Sequence, residues 1–122
     1  SFGFTGQITD YPKETFESNF PKFINSLEEN KETIFVWSAG NYNGITDTNG
    51  EKVEAADPGW LAGLSYYFPE LADNNIAVVA VDREGTIADY SNRCGVVKDT
   101  CIAAPGSRIN VAIPNNLYSS LT

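Results

Sequence analysis

The sequence contains no histidine and no methionine, and only two of its 122 residues are cysteine. Without histidine the chain has no imidazole to serve as a general base, and it cannot complete a zinc site around its two cysteines. No apolar run approaches the roughly 20 residues that a membrane-spanning helix needs. These absences argue against a zinc-binding module, a helical membrane span and histidine-based catalysis within the chain itself.

Basic residues are also scarce, with 8 lysines and arginines against 16 aspartates and glutamates and a formal net charge of -8. A chain with this balance offers no basic stripe that could neutralise nucleic-acid phosphates or an anionic membrane surface. We therefore expect neither nucleic acid nor direct membrane contact as a partner. The acidic side chains are scattered along the chain, so their main physical effect is on solubility.

The two cysteines, Cys94 and Cys101, lie close together in a chain that otherwise lacks them. Two interpretations are open: a local disulfide bond, which indicates an oxidising compartment, or two reduced thiols that are merely neighbours. The pattern favours the disulfide and a secreted or cell-surface location. Because the chain opens on Ser-Phe-Gly and has no methionine, we also expect it to be a piece of a longer protein.

Short apolar runs predict the strands of a parallel sheet. IFVW at 34–37 and IAVVAV at 76–81 are rich in β-branched and aromatic residues, which predicts strands buried on both faces. CIAAP at 101–105 predicts a further brief buried segment, and TIADYSN at 86–92 a short strand or extended edge. INVAI and LYSSLT, around a turn within 109–122, predict a hairpin.

Apolar side chains at helical spacing predict a helix before the first strand: Phe16, Phe20, Phe23, Ile24 and Leu27. Because proline is tolerated only in the first turn of a helix, we place its start near Pro21, with Ser18 or Asn19 as the N-cap. Residues 60–72 predict a short helix followed by a turn beside the strand end. Helices alternating with short apolar strands indicate the α/β class.

A polar loop is predicted between the first strand and the second helix, over residues 42–59. Within it Asp47, Asn49 and Glu51 alternate in the manner of cation ligands. The spacing lacks the full calcium-loop pattern, and a solvated loop explains it more simply. We therefore predict no metal site in this chain.

The first predicted strand loses side-chain bulk over Ser38, Ala39 and Gly40 and then reaches Asn41. Small residues at a strand end let another backbone approach, and in open α/β sheets ligands bind beyond the carboxyl ends of the strands. Asn41 would bring a neutral amide donor to that position. The same Asn-Tyr-Asn-Gly sequence is also ordinary turn chemistry, so the local pattern alone leaves a purely structural role open.

Four stretches, taken together and in order, resemble the subtilisin-like serine protease family: SFG at 1–3, SAGN at 38–41, AVVAVD at 77–82 with ADYSNRCG at 88–95, and AAPGSRI at 103–109. They spread over nearly the whole chain, and the loop between Asn41 and Ile76 matches least. The paired cysteines in SNRCG…DTCIAAPG look most like subtilases carried as passengers of Gram-negative autotransporters.

The resemblance implies a partial subtilisin-like fold, with a mainly parallel sheet flanked by helices and a C-terminal hairpin. It also implies that residues 1–122 form a single incomplete domain, the middle segment of a catalytic domain. The parent protein would be a secreted bacterial endopeptidase that needs no cofactor. Calcium binding by that parent stays open, without a specific motif to support it.

The same resemblance assigns Asn41 a chemical role, because the asparagine of the family's matching motif donates its side-chain amide to the oxyanion. Acyl transfer places negative charge on the former carbonyl oxygen, and a fixed neutral donor stabilises that charge. In a subtilisin, removal of one such donor lowers turnover about 100- to 1,000-fold, and that magnitude is adopted for this chain. An aspartate would fail there, because an ionised carboxylate cannot donate and repels the oxyanion.

Substrate-binding roles are implied for two further segments. Ser1, Phe2 and Gly3 match the edge strand that pairs with an extended polypeptide substrate, where Gly3 leaves room and Phe2 would line a hydrophobic subsite. A flexible chain end is the alternative for these three residues. The segment 38–40 matches the opposite wall of the main specificity pocket.

The family's catalytic triad is Asp, His and Ser in that chain order, and this chain has no histidine. By resemblance the Asp and His would precede Ser1, and the nucleophile would follow Thr122. Ser119 and Ser120 belong to the predicted hairpin. We therefore expect the piece alone to be inactive and to need the remainder of the protease domain as its partner. We also expect its exposed apolar surface to make it self-associate or to leave it only marginally stable.

The sequence leaves two other functions to consider, a binding scaffold and a nucleotide binder. A pseudo-protease or surface binding scaffold would keep this framework without the triad, and residues outside 1–122 would decide between it and the protease. A half Rossmann-like nucleotide binder is disfavoured, because Gly40-Asn-Tyr-Asn-Gly44 lacks the G-x-G-x-x-G spacing and no acidic ribose partner follows.

Overall fold

A computed structural model describes residues 5–115 and 117–121 of the chain. The α-helices within that part are α1 (Lys13–Asn19), α2 (Pro21–Glu29) and α3 (Trp60–Gly63). The strands are β1 (Phe35–Ser38), β2 (Asn75–Val81), β3 (Cys101–Pro105), β4 (Ile109–Ile113) and β5 (Leu117–Leu121). Short 3-10 helices cover Ile8–Asp10, Leu64–Tyr66, Pro69–Leu71 and Gly95–Thr100.

The first three strands form a parallel sheet in the order β1-β2-β3. Val36 aligns with Ile76, and Val78 aligns with Ile102, so these side chains share one face of the sheet. The parallel sheet flanked by helices confirms the predicted α/β class. β4 and β5 pair antiparallel, which confirms the predicted C-terminal hairpin.

The apolar core covers one face of the sheet, where α1, α2 and the segment 60–71 pack. Its buried side chains are Ile8, Phe16, Ile24, Leu27, Leu64, Phe68 and Leu71, with Phe35 and Trp37 of β1 packed against them. The ring of Trp60 meets that of Phe16 edge-on, with centroids 4.9 Å apart. The segment 60–71 therefore packs beside the end of β1, as predicted.

The opposite face of the sheet is open in the described part of the chain. Val36 is 61% exposed and Ile102 is 53% exposed, and Ile34, just before β1, is 67% exposed. The prediction that the run 34–37 is buried on both faces is therefore wrong for Ile34 and Val36, and the prediction of a buried segment at 101–105 is wrong for Ile102. The apolar run does form a strand, but the helices of the described chain cover only one of its two faces.

The helix boundaries also differ from the prediction. Pro21 opens α2, as predicted, but the N-cap is Phe20 rather than Ser18 or Asn19. Ser18 and Asn19 instead lie in α1, a separate helix that was not predicted. Phe20 leaves helical geometry because Pro21 disfavours the α region for the residue before it. Its amide still closes α1 by donating to the Phe16 carbonyl at 2.9 Å.

The segment 86–92 was predicted to be a short strand or an extended edge, and it forms a single antiparallel bridge between Val81 and Ile87 followed by a turn at 89–90. It is tied to β2 by the Ala88 amide, which donates to the Ala80 carbonyl at 2.8 Å. The Ala80 amide in turn donates to the Ser91 hydroxyl at 3.1 Å. These contacts bring residues 88–92 to the carboxyl end of the sheet.

Candidate functional site at the carboxyl end of β1

The backbone beyond β1 is fixed by hydrogen bonds to two other parts of the chain. The Ala39 amide donates to the Val78 carbonyl at 2.8 Å, which extends the contact with β2 by one residue. The Ala39 carbonyl accepts from the Gly59 amide at 2.7 Å. Ala39 is fully buried, and both of its backbone groups are paired with these two segments.

Gly40 then turns the chain with φ of 114°, a left-handed conformation that favours glycine. The turn carries Asn41 out of the sheet and into an exposed position. Within the described residues, no hydrogen bond involves the Asn41 side chain, so its amide group is free to donate to a ligand. The geometry therefore presents a neutral donor on a backbone that is held on both sides.

Asn43 helps to hold the same loop. Its side-chain amide donates to the Asp89 carbonyl at 2.5 Å. Its side-chain oxygen accepts from the Ala55 amide at 2.8 Å. The Gly44 amide donates to the Val53 carbonyl at 2.8 Å. The two asparagines of Asn-Tyr-Asn-Gly thus differ: Asn43 is a structural bridge, whereas Asn41 has a free side chain.

Asn92 is the most deeply buried polar residue near this loop, with no exposed surface. Its side-chain oxygen accepts from the Tyr42 amide at 2.7 Å, and its backbone amide donates to the Gly40 carbonyl at 2.9 Å. Its side-chain NH2 donates to the Asp57 carbonyl at 3.0 Å. Both the oxygen and the nitrogen of this buried side-chain amide are therefore hydrogen-bonded.

Cys94 and Cys101 form a disulfide bond, which confirms the predicted pairing. The bond closes the loop that holds the 3-10 helix Gly95–Thr100. The Val96 amide of that loop donates to the Asp57 carboxylate at 2.9 Å, and the Thr9 hydroxyl donates to its other oxygen at 2.8 Å. Asp57 thus connects the disulfide loop to Asn92.

Among the other predicted site residues, Ser38 is exposed at the end of β1 and Ala39 and Gly40 follow it in the fixed turn. The structure thus brings 38–41 together at one sheet end, while their contact with substrate stays a prediction. The predicted edge strand Ser1, Phe2 and Gly3 lies outside the described residues.

The described part of the chain shows neither a cluster of metal ligands nor a membrane-spanning helix. No group of three or more Asp, Glu or Cys side chains there is arranged to hold a metal ion. The Asp47 carboxylate instead accepts from the Asn49 and Glu51 amides at 2.8 and 2.9 Å, which accounts for the alternating pattern as a polar turn. None of the helices in that part is long and apolar enough to cross a membrane.

Sequence reasoning did not single out Asn92, Asn43 or Asp57. Asn92 contacts Tyr42 across 50 positions of the chain and Asp57 across 35. Neither periodicity nor local spacing reports on a contact of that separation. The only signal was the stretch ADYSNRCG, in which Asn92 lies two residues before Cys94.

The model of the subtilase family matches residues 3–122, nearly the full length, and the chain belongs to that family. The resemblance noted in the sequence is thereby confirmed. The family match carries the identification, because it extends from the segment before α1 through the loop at Asn41 to the terminal hairpin.

Two curated relatives are similar to parts of the chain. Serotype-specific antigen 1 of Mannheimia haemolytica is 42% identical over 88 residues, which are 70% of this chain and 9% of that protein. The extracellular serine protease of Serratia marcescens is 32% identical over 76 residues, which are 62% of this chain and 6% of that protein. The matched segments are therefore less than a tenth of either relative's length.

Two solved structures share the fold. The prenylagaramide maturation protease PagA superposes with a TM-score of 0.59 at 24% identity, over 84% of this chain and 30% of that one. The PatG macrocyclase in complex with peptide gives a TM-score of 0.53 at 22% identity, over 100% of this chain and 30% of that one. At this identity the likeness bears on the fold alone, and it agrees with the predicted partial subtilisin-like fold.

Proposed function

We propose that this chain is the oxyanion-stabilising and substrate-binding portion of a secreted subtilisin-like serine endopeptidase, its parent protein. The observation that carries the proposal is the exposed, unpaired side chain of Asn41 on a turn fixed by hydrogen bonds from other segments. An amide held in place before the reaction needs no reorganisation when charge develops, which is what stabilises an oxyanion effectively.

In the proposed reaction the Asn41 NH2 donates to the oxygen that becomes negative when the nucleophile attacks the substrate carbonyl. The donor is neutral, so it stabilises that oxygen without attracting a counter-ion in the resting state. The segment 38–40 forms one side of the cleft, and Ser1, Phe2 and Gly3 pair with the substrate backbone on the other side. The triad Asp, His and Ser come from elsewhere in the parent protein.

The open face of the parallel sheet supports a role as part of a larger domain. Val36 and Ile102, both more than half exposed, lie on the face that the helices leave uncovered. Burying such side chains stabilises a protein by about 1.5–3 kcal/mol each. We expect the remainder of the protease domain to cover this face in the parent.

The isolated 122-residue chain offers a test of that expectation. We expect it to show no peptidase activity and to self-associate, because its open apolar face has no partner. Light scattering coupled to size-exclusion chromatography measures the association. A monomer that unfolds cooperatively at high temperature would contradict the incomplete-domain proposal.

Two observations support the proposal that the parent protein is secreted. The Cys94–Cys101 disulfide indicates an oxidising compartment. One relative is named an extracellular serine protease. Export as the passenger of a Gram-negative autotransporter is the specific route that we propose.

Labelling of the parent protein with a fluorophosphonate probe tests whether it is a serine hydrolase at all. We expect the parent to label and the isolated chain to remain unlabelled, since the nucleophile lies outside residues 1–122. A folded and fully processed parent that does not label would favour the alternative, a pseudo-protease that serves as a surface binding scaffold.

A further inference from the structure

The residues before and after Asn41 are both hydrogen-bonded to Asn92. The carbonyl of Gly40, just before it, accepts from the Asn92 backbone amide at 2.9 Å. The amide of Tyr42, just after it, donates to the Asn92 side-chain oxygen at 2.7 Å. The two peptide units that flank Asn41 are thus both held by Asn92, which itself has no exposed surface.

Asn92 is itself anchored independently of that turn. Its side-chain NH2 donates to the Asp57 carbonyl at 3.0 Å, and the Asp57 amide donates to the Gln7 side-chain oxygen at 2.7 Å. The orientation of the Asn92 amide group is therefore fixed by a segment distinct from the one it holds. An acceptor fixed in this way can set the direction of the Tyr42 amide.

Close packing adds to the hydrogen bonds at Gly40. A Cβ placed on Gly40 would lie 3.2 Å from Cγ and Oδ1 of Asn92 and 3.4 Å from its Nδ2. The turn thus lies directly against the Asn92 side chain, and glycine permits both this approach and the left-handed φ of 114°.

We propose that Asn92 is a positioning residue for the reaction, which sets the direction of the Asn41 side chain without touching substrate. The inference rests on the proposed role of Asn41 and adds the residue through which the fold controls that donor. A donor misplaced by about 1 Å can cost about 100-fold in rate, because stabilisation of the oxyanion depends on preorganised geometry.

The test uses the parent protease with Asn92→Ala, Asn41→Ala and the double variant. We expect Asn92→Ala to lower kcat by about 100-fold with KM nearly unchanged, since a misaligned donor weakens binding of the transition state alone. In the Asn41→Ala background the same substitution should lower kcat less than threefold, because the group it positions is already absent. Rates are expressed per active site, by fluorophosphonate titration.

Asn74→Ala is the matched control. Asn74 is also buried, and its side-chain NH2 donates to the carbonyls of Asn30 and Thr33, at the opposite end of the sheet. It should destabilise the protein without lowering kcat per active site. If Asn92→Ala does not fold, Asn92→Ser is used in the same cycle, since its shorter side chain cannot make both bonds and leaves a smaller cavity.

Three outcomes would overturn the inference. Equal losses of kcat from Asn92→Ala with and without Asn41 would show that Asn92 acts independently of the donor. A loss no greater than that of Asn74→Ala would show a structural role only. An unchanged kcat in Asn41→Ala would instead overturn the proposed role of Asn41 itself, and the positioning inference with it.

Discussion

The two ends of the parallel sheet use buried asparagines in different ways. At the amino end Asn75 accepts from the Trp37 indole at 2.8 Å and donates to the Leu71 carbonyl at 3.0 Å. At the carboxyl end Asn92 is equally well paired, but the turn it holds presents Asn41 with an unpaired side chain to solvent.

The comparison separates two roles of one residue type. A buried amide that is fully paired within the protein locks elements together, and leaving its partners unpaired is costly. An exposed amide on a fixed backbone contributes little to folding but is available to a ligand. At the carboxyl end the first kind of asparagine supports the second kind, whereas at the amino end all the amides serve the fold.

The largest effect on stability is expected at the amino end. Asn75→Ala removes the partner of the Trp37 indole and of the Asn74 side-chain oxygen, and the Leu71 carbonyl keeps only the Asn74 backbone amide at 3.3 Å. We expect a loss of about 3 kcal/mol in the free energy of unfolding, given about 1–3 kcal/mol for each unsatisfied buried group. Denaturant unfolding of the parent protein measures this loss of stability. A fall in kcat per active site in Asn75→Ala would contradict the view that the amino end serves the fold alone.

Loss of the disulfide should have the next largest effect. Replacing Cys94 and Cys101 together by alanine removes a cross-link between residues seven positions apart, which we expect to cost about 2–3 kcal/mol. The loop also holds Asp57 through the Val96 amide, so kcat should fall modestly as Asn92 loses part of its anchor. Unfolding of the double variant beside the oxidised protein checks the cost. An unchanged midpoint would contradict it.

The smallest effect concerns two carboxyl groups outside the candidate site, Glu28 on α2 and Glu70 in the 3-10 helix Pro69–Leu71. A hydrogen bond with Glu70 raises the pKa of Glu28 above 4.5, and burial and the charge of Glu70 act in the same direction. The pKa of Glu70 is lowered, first by a backbone hydrogen bond and then by the bond with Glu28. When both groups are ionised, the two carboxylates repel each other.

Because the pKa of Glu28 is raised on folding, its protonated form adds stability. That contribution is complete below about pH 4.5 and is lost as the pH rises through the raised pKa. Glu28→Gln should therefore stabilise the protein at pH 7 by less than about 1 kcal/mol, since Glu28 is only partly buried and its partner Glu70 is exposed, so solvent screens the interaction. The free energy of unfolding of the variant should also change less between pH 4.5 and pH 7 than that of the unsubstituted protein. Thermal unfolding at pH 7 and pH 4.5 measures both effects, and a Gln variant less stable at pH 7 would contradict them.

The elements that could be predicted from the sequence are those marked by neighbouring residues, such as short apolar runs and turn residues. The apolar runs at 34–37 and 76–81 gave β1 and β2, and the residues around Pro114 gave the hairpin. The exposure of Val36 escaped prediction, because an apolar run does not report whether one or two layers cover a strand. Helix α1 was missed because its only buried apolar residue, Phe16, was assigned to the next helix.

The site was predictable only in part, for the same physical reason. Asn41 could be proposed because small residues precede it at a strand end and because the motif resembles a family. Its free side chain and the support from Asn92 depend on contacts between segments about 50 residues apart. Such contacts follow from the three-dimensional arrangement of turns, which local spacing does not encode.

The most direct test of the account is the kcat of the parent protease with Asn41→Ala, measured beside Asn25→Ala. Asn25 is an exposed asparagine on α2, away from the sheet end, and serves as the matched control. We predict that Asn41→Ala lowers kcat about 100- to 1,000-fold with KM nearly unchanged, while Asn25→Ala leaves both unaltered. A kcat for Asn41→Ala within a factor of two of the unsubstituted enzyme would contradict the account.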